Sequence, residues 1–427
     1  MKEKTIKKKQ KTLKNGFKIV SLNDPSAITT TALLVVKTGS KYESAKENGL
    51  SHFLEHLFFK GTKKRPSALE LSSDLDSLGG EYNAFTGKEY TGYYVKVAAG
   101  RVTGALDILS DMLLSPLFPK QEITREKGVV IEEIKMYNDN PLMHVEDVFE
   151  TCLYGDTPAG WEVIGSRKNV RQFSHSLLLD YYKRQYGASS MTLIISGAVT
   201  EKDISSASKL FSKALKNPWQ VKQKVSDKQS EARVKIVRQK IDQANLSLGV
   251  RAVPVDHPQE ATIKLLSFIL GGSMSSRLFV SLRERRGLAY YIKTINEQYS
   301  DSAYLTTQAG VPLKKLKESI ELIKKEYKLI AQEGIDEKEL KRTKDMAIGR
   351  LKLNLEGSDD LANWYGKQAV MRKKFVSPEQ YIKKIEGISL KEINQVASDI
   401  FKQPLNLAII ANVSPNKQKE FLKLLEN

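Results

Sequence analysis

Two apolar stretches of this chain recur at one fixed distance, and that repetition constrains the fold more than any other feature. Residues 32–40, ALLVVKTGS, read as a strand running into a turn, and residues 246–254, LSLGVRAVP, read as a similar strand. Near the ends of the two halves, MTLIISGAVT at 191–200 resembles LNLAIIANVS at 405–414. The two pairs share one offset, since position 32 stands to 246 as 191 stands to 405. Each match is weak alone, and the shared offset is what points to a duplication. The length, 427 residues, also exceeds what one hydrophobic core ordinarily supports. Helical patterns lie between the strands. ALDILSDMLLSPLF follows Gly104, and LKESIELIKKEYKLIAQEG at 316–334 has apolar residues at three-to-four spacing and a glycine at its end. No Gly-rich phosphate loop follows the first strand, so a dinucleotide-binding fold is not supported. The stretch KNPWQVKQKVSDKQSEARVK, 216–235, lacks periodicity and reads as a connection. The expectation is an α+β chain of two similar domains, each a mixed or antiparallel sheet packed with helices. We draw the boundaries at 1–220, a linker at 221–235, and 236–427.

Charge and cysteine content narrow the function classes. The formal net charge is +18, mostly from lysine, denser over residues 1–18 and roughly 213–240. Such a balance suits nucleic acid, an anionic membrane surface or acidic peptides. No helix-turn-helix, zinc-knuckle or RNA-binding aromatic pattern accompanies it, so nucleic acid is not an expected partner. Solvated lysine faces are the simpler reading. No apolar run approaches the roughly 18 residues that suggest a membrane span. The stretch MKEKTIKKKQKTLKNG is basic with no apolar segment after it, unlike a secretory signal. It contains a glutamate and no arginine, unlike a mitochondrial presequence. The single cysteine, Cys152, allows no intrachain disulfide, and a cytoplasmic location is expected.

Chemistry concentrates in GLSHFLEHLFFKGT, residues 49–62. In a helix, His52 and His56 lie one turn apart on one face, so both imidazoles reach one ion. Glu55 falls near the His52 direction and about a third of a turn from His56, beside such an ion rather than on it. Phe53, Leu54, Leu57 and Phe58 bury the rest of the helix. This is the His-x-x-Glu-His order of the inverzincins. With five histidines in the chain, a chance arrangement of this kind is improbable. A catalytic zinc site needs a third protein ligand and an open position. TREKGVVIEEIKMYNDNP, 124–141, reads as a strong helix on which Glu126 and Glu133 share a face two turns apart. Spacing alone does not choose between Glu132 and Glu133, and His144 is a further candidate.

The segment HFLEHLFFKGT resembles that of the pitrilysin-type inverzincin (HxxEH) zinc metallopeptidases, in the short two-domain branch similar to mitochondrial processing peptidase subunits. In that family the third ligand is a glutamate on a helix well downstream of the second histidine, with an acidic residue two helical turns before it. At the family's spacing from His56 those positions fall on Glu133 and Glu126. The resemblance therefore selects Glu133 as ligand, with Glu126 behind it. LGGEYNAFTGKEYTGYYVKV, 78–97, resembles the family's edge strand, where Asn83 and Ala84 line the substrate. SSRLFVSLRERRGLAYY, 275–291, resembles its substrate-gripping motif, with the arginine and tyrosine falling on Arg283 and Tyr290. Without the resemblance, Arg283 reads as one arginine of a solvated basic helix and Tyr290 as core. One departure is Leu57, where methionine is common. The likeness covers nearly the whole chain and implies one Zn2+ per chain on His52, His56 and Glu133, with Glu55 as general base. It implies endoproteolysis of short or unfolded peptides inside a clam-shell chamber, of which this chain forms half. A homodimer is expected, or a heterodimer with a homologue. The alternative is a non-catalytic peptide-binding subunit of a heterodimeric peptidase.

Overall fold

The structure, a computed structural model, describes residues 6–217, 221–225 and 229–426. Residues 1–5 of the basic N-terminal stretch, 226–228 of the expected linker, 218–220 and 427 lie outside the described residues. Six strands form a first sheet: β1 (Lys7–Thr12), β2 (Lys18–Asn23), β3 (Thr29–Val36), β4 (Glu81–Thr86), β5 (Thr91–Ala98) and β6 (Met191–Gly197), in the order β1-β2-β6-β3-β5-β4. Five form a second: β7 (Arg233–Arg238), β8 (Gln243–Arg251), β9 (Tyr291–Gln298), β10 (Ala303–Pro312) and β11 (Asn406–Ala411), in the order β7-β11-β8-β10-β9.

Without β1, the two sheets repeat strand for strand. β2 runs parallel to β6, as β7 does to β11, and the other neighbours are antiparallel. Even the register is preserved. Ala32 faces Ile195 across β3 and β6, and one repeat further on Leu246 faces Ile409 across β8 and β11. The offset read from apolar segments is thus an offset in backbone pairing.

In the first unit, β3 (TTTALLVV) is rich in β-branched residues and buried along nearly its whole length. That pattern belongs to a central strand covered on both faces. The Ser358–Met371 helix covers it, with Leu361, Ala362 and Tyr365 packed on Leu33, Val35 and Ile194. The approach is close at Gly366, where a Cβ atom would come within 2.8 Å of Leu33 Cδ2. In the second unit, the Leu316–Glu333 helix buries Ile320, Ile323 and Ile330 in a core shared with Leu246 and Leu248.

The compact units are not the contiguous halves expected. The first takes residues up to 135, 162–223 and 353–375, and the second takes 136–161, 224–352 and from 376 onward. The Pro141–Tyr154 helix packs on β7, β8 and β11, and the Ser358–Met371 helix on β3 and β6. The expected boundaries at 220 and 236 do not coincide with the limits of these compact units. Periodicity shows that a helix has an apolar face, and only tertiary contact shows which sheet it covers. The expected linker is divided as well. Lys222 pairs with buried Glu89 in the first unit, and Arg233 already begins β7. Among the described residues no helix is long and apolar enough to cross a membrane.

Candidate metal centre

The Leu50–Leu57 helix is short, and its sequence explains its anchoring. Leu50, Phe53, Leu54 and Leu57 are fully buried, which fixes one side and leaves His52, Glu55 and His56 on the half-buried other side. Gly49 precedes it with φ of 102°, and a Cβ there would lie 2.8 Å from the carbonyl oxygen of Ile164. Only glycine accepts both conditions at this helix start.

The second contributor is the Lys120–Asn138 helix. Ile123, Glu126, Val130 and Ile134 form its buried stripe. Glu133 lies at the margin of that stripe and points a half-buried carboxylate at the histidines. Its Oε1 is 3.6 Å from His52 Nε2, and its Oε2 is 3.4 Å from His56 Nε2. Donor atoms of His52, His56 and Glu133 all lie within 4.8 Å of one another. Glu132 instead pairs with Lys135 and is 69 % exposed. His144 and Glu55 do not join the converging set among the described residues.

These residues fit a zinc ion. A tetrahedral zinc with bonds of about 2.0–2.1 Å has donor atoms about 3.3–3.4 Å apart. The Glu133 contacts, made by two different oxygens at 3.6 and 3.4 Å, lie at or slightly above that spacing and are long for hydrogen bonds. We therefore read them as electrostatic contacts between donors that one ion can share. Glu133 Oε2 and His52 Nδ1 are buried with no hydrogen-bond partner among the described residues. A cation satisfies the first of these.

Behind the histidines, Glu126 Oε2 lies 3.1 Å from His56 Nδ1, and Lys60 Nζ lies 2.7 Å from Glu126 Oε1. With Nδ1–H donated to Glu126, the His56 Nε2 lone pair faces Glu133. That is the arrangement by which outer carboxylates orient ligating imidazoles. Burial opposes charge on His56, but the Glu126 and Glu133 carboxylates outweigh it and raise its pKa to about 9. Burial likewise opposes ionisation of Glu133, and the two histidines outweigh it and hold its pKa at about 2. In the metal-free chain a proton thus takes the part of the cation.

Thr86, at the end of β4, donates its hydroxyl to Glu55 Oε2 at 2.5 Å. Asn83 and Ala84 lie on the same strand, with Asn83 exposed, and β4 is the edge of the first sheet. Arg283 and Tyr290 belong to the second unit. Arg283 is exposed in a π-helical turn, Phe279–Glu284, rather than in an extended basic helix, and stacks 5.2 Å from the Phe279 ring centre. Such turns are rare overall and are frequently found at functional sites. Tyr290, read as core from its pattern alone, is 65 % exposed. Sequence reasoning missed Thr86 and Lys60. Both stood within quoted motifs, but their partners, Glu55 and Glu126, come from distant parts of the chain.

Comparison with known proteins shows the family. Residues 18–167 match the Insulinase (Peptidase family M16) domain, and residues 172–347 match the Peptidase M16 inactive domain. The chain is 34 % identical over 406 residues to a Bacillus subtilis protein named an uncharacterized zinc protease, covering 94 % of this chain and 98 % of that one. It is 33 % identical over 420 residues to a Rickettsia felis protein of the same description, covering 96 % and 98 %. A solved protease from Helicobacter pylori superposes with a TM-score of 0.88 at 23 % identity, covering 95 % of this chain and 99 % of that one. The fold is shared with that structure and, at 18 % identity and a TM-score of 0.83, with a putative M16-like peptidase from Alicyclobacillus acidocaldarius, covering 95 % and 98 %. With both domains matched in order and a third of its residues shared end to end with such relatives, the chain belongs to the insulinase-like peptidase family M16.

Proposed function

We propose that this protein is a zinc-dependent endopeptidase acting on short or unfolded peptides, with one Zn2+ per chain. The observation that carries the reading is the convergence of His52, His56 and Glu133, with Glu55 on the same helix as the two histidines but not itself among the converging donors. His52, His56 and Glu133 hold the ion, and Glu126 orients His56. A zinc ion bound there supplies Lewis acidity toward a water molecule and the peptide carbonyl. Glu55, steadied by Thr86, takes the proton from that water and returns it to the leaving amine. Arg283 and Tyr290 donate hydrogen bonds to the substrate near the developing negative charge, each worth about 2.7–4 kcal/mol in comparable sites. The peptide adds as a strand along β4 beside Asn83 and Ala84. Main-chain pairing asks little of side-chain sequence, and it suits extended peptides better than folded proteins.

The reading includes a homodimer in which one subunit's zinc works with the other's Arg283 and Tyr290, and a cytoplasmic location consistent with the single, buried Cys152. The test is zinc content together with turnover of a quenched fluorescent peptide library. Wild-type protein is expected to bind stoichiometric zinc and cleave. Glu55→Gln is expected to keep the zinc and lose most cleavage. A variant that cleaves at the wild-type rate refutes the assignment of the base. Wild-type protein that holds zinc without cleaving any peptide favours the non-catalytic, peptide-binding alternative.

A further inference from the structure

The Leu50–Leu57 helix begins without a capping side chain at Gly49, yet its first N–H groups are not left to solvent. Glu43, only 3 % exposed and upstream of the helix, turns its carboxylate onto them. Oε2 accepts from the Gly49 N–H at 2.8 Å, and Oε1 accepts from the Ser51 N–H at 2.7 Å. Asn48 Nδ2 adds a contact to Glu43 Oε2 at 3.2 Å and donates to the Glu162 carbonyl at 2.9 Å, which ties the clamp to the neighbouring loop. The Ser51 hydroxyl lies 2.7 Å from the Tyr181 hydroxyl, itself 3.1 Å from Thr38 Oγ1, all fully buried. A helix N-terminus favours a negative charge, so the buried carboxylate suits this place. Its hold is bidentate, on two successive sides of the helix entry, and Ser51 is the residue before His52.

We propose that Glu43 is a positioning residue of the metal centre. By gripping the Gly49 and Ser51 N–H groups it sets the rotation and axial position of the helix carrying His52, Glu55 and His56. An eight-residue helix has little internal stiffness to hold three side chains in register with Glu133, and a site of this kind needs placement within about 0.5 Å. The inference rests on the metal-centre reading above.

The test is zinc affinity, by competition with a chromophoric chelator, at a temperature where circular dichroism shows each protein folded. Glu43→Gln keeps the size but offers one acceptor where two are needed. It is expected to weaken zinc about tenfold, the lower end of what outer partners contribute. The control is Asp203→Ala. Asp203 closes the capping box of the Glu201–Phe211 helix, which carries none of the site residues, with bonds of 2.9 and 2.6 Å to Thr200. That variant is expected to lower the melting temperature and to leave zinc affinity within about twofold. Affinity unchanged in Glu43→Gln, or weakened equally in Asp203→Ala, overturns the proposal. If Glu43→Gln does not fold, Asn48→Ala decides: weakened zinc supports the clamp, and unchanged zinc overturns it. Wild-type protein that binds no zinc defeats the metal-centre reading itself, an outcome distinct from any difference between variants.

Discussion

Replacing Glu126 by glutamine tests the metal centre at the point where its electrostatics are most demanding. The Glu126 carboxylate is almost wholly buried and faces two donors, His56 Nδ1 at 3.1 Å and Lys60 Nζ at 2.7 Å. An ionised carboxylate is acceptor-only and matches both. Glutamine offers one acceptor and one donor. If its oxygen turns to Lys60, its amide faces His56 Nδ1, which must then accept. The imidazole proton moves to Nε2, the nitrogen that faces Glu133, and metal binding must displace it. If the oxygen turns to His56, the amide meets the ammonium. Either state is costly. Outer partners of ligating histidines are worth about 10–100-fold in metal affinity, or about 1.4–2.7 kcal/mol, and Glu126→Gln is expected to weaken zinc within that range. Lys60→Met added to Glu126→Gln removes the competing donor and lets the amide oxygen serve His56. The double variant is therefore expected to bind zinc more tightly than Glu126→Gln alone, a non-additivity typical of groups in contact. Chelator competition on the folded proteins reads all three. Zinc affinity of Glu126→Gln within about threefold of wild type, or a double variant no tighter than the single, refutes the reasoning.

Four other outcomes can be measured. Glu133→Gln is expected to lose most bound zinc and Glu132→Gln to retain it, by metal analysis of the purified variants; zinc loss confined to Glu132→Gln reverses the ligand assignment. In the metal-free protein, His56 with its pKa raised from 6.5 to about 9 contributes stability that is full below its unfolded value and lost as pH rises through about 9. Glu133, lowered from 4.5 to about 2, contributes stability present above its unfolded value and lost as pH falls through about 2. Melts of chelator-treated protein should accordingly decline on the alkaline side, less so in Glu133→Gln. Calorimetry in buffers of different ionisation enthalpy should find about one proton released per zinc at neutral pH. Finally, equal mixing of Glu55→Gln and Tyr290→Phe chains under subunit exchange should restore activity toward about a quarter of wild type if the site is shared between two subunits of a symmetric dimer. No gain over the separate variants, with exchange confirmed by mass, excludes the shared site.

What the sequence determined by itself is local or periodic. The common offset of the two halves is carried by apolar strands, and because strand pairing is regular it survives as register in both sheets. The His52–Glu55–His56 stripe needed only the helical repeat, since about four residues make one turn whatever the surroundings. Glu133 needed more. Its spacing left it level with Glu132, and the packing of the Lys120–Asn138 helix turned one carboxylate to the histidines and the other to Lys135. Other features had no signature in the order of residues. The Pro141–Tyr154 and Ser358–Met371 helices crossed the expected domain boundaries because an apolar face names no partner. Tyr290 stands in solvent because burial is decided by what packs above a residue, not by its type. Thr86, Lys60 and Glu43 act through hydrogen bonds and an ion pair whose geometry exists only after the chain has folded. Sequence periodicity fixes which residues share a face, and tertiary packing fixes what each face meets.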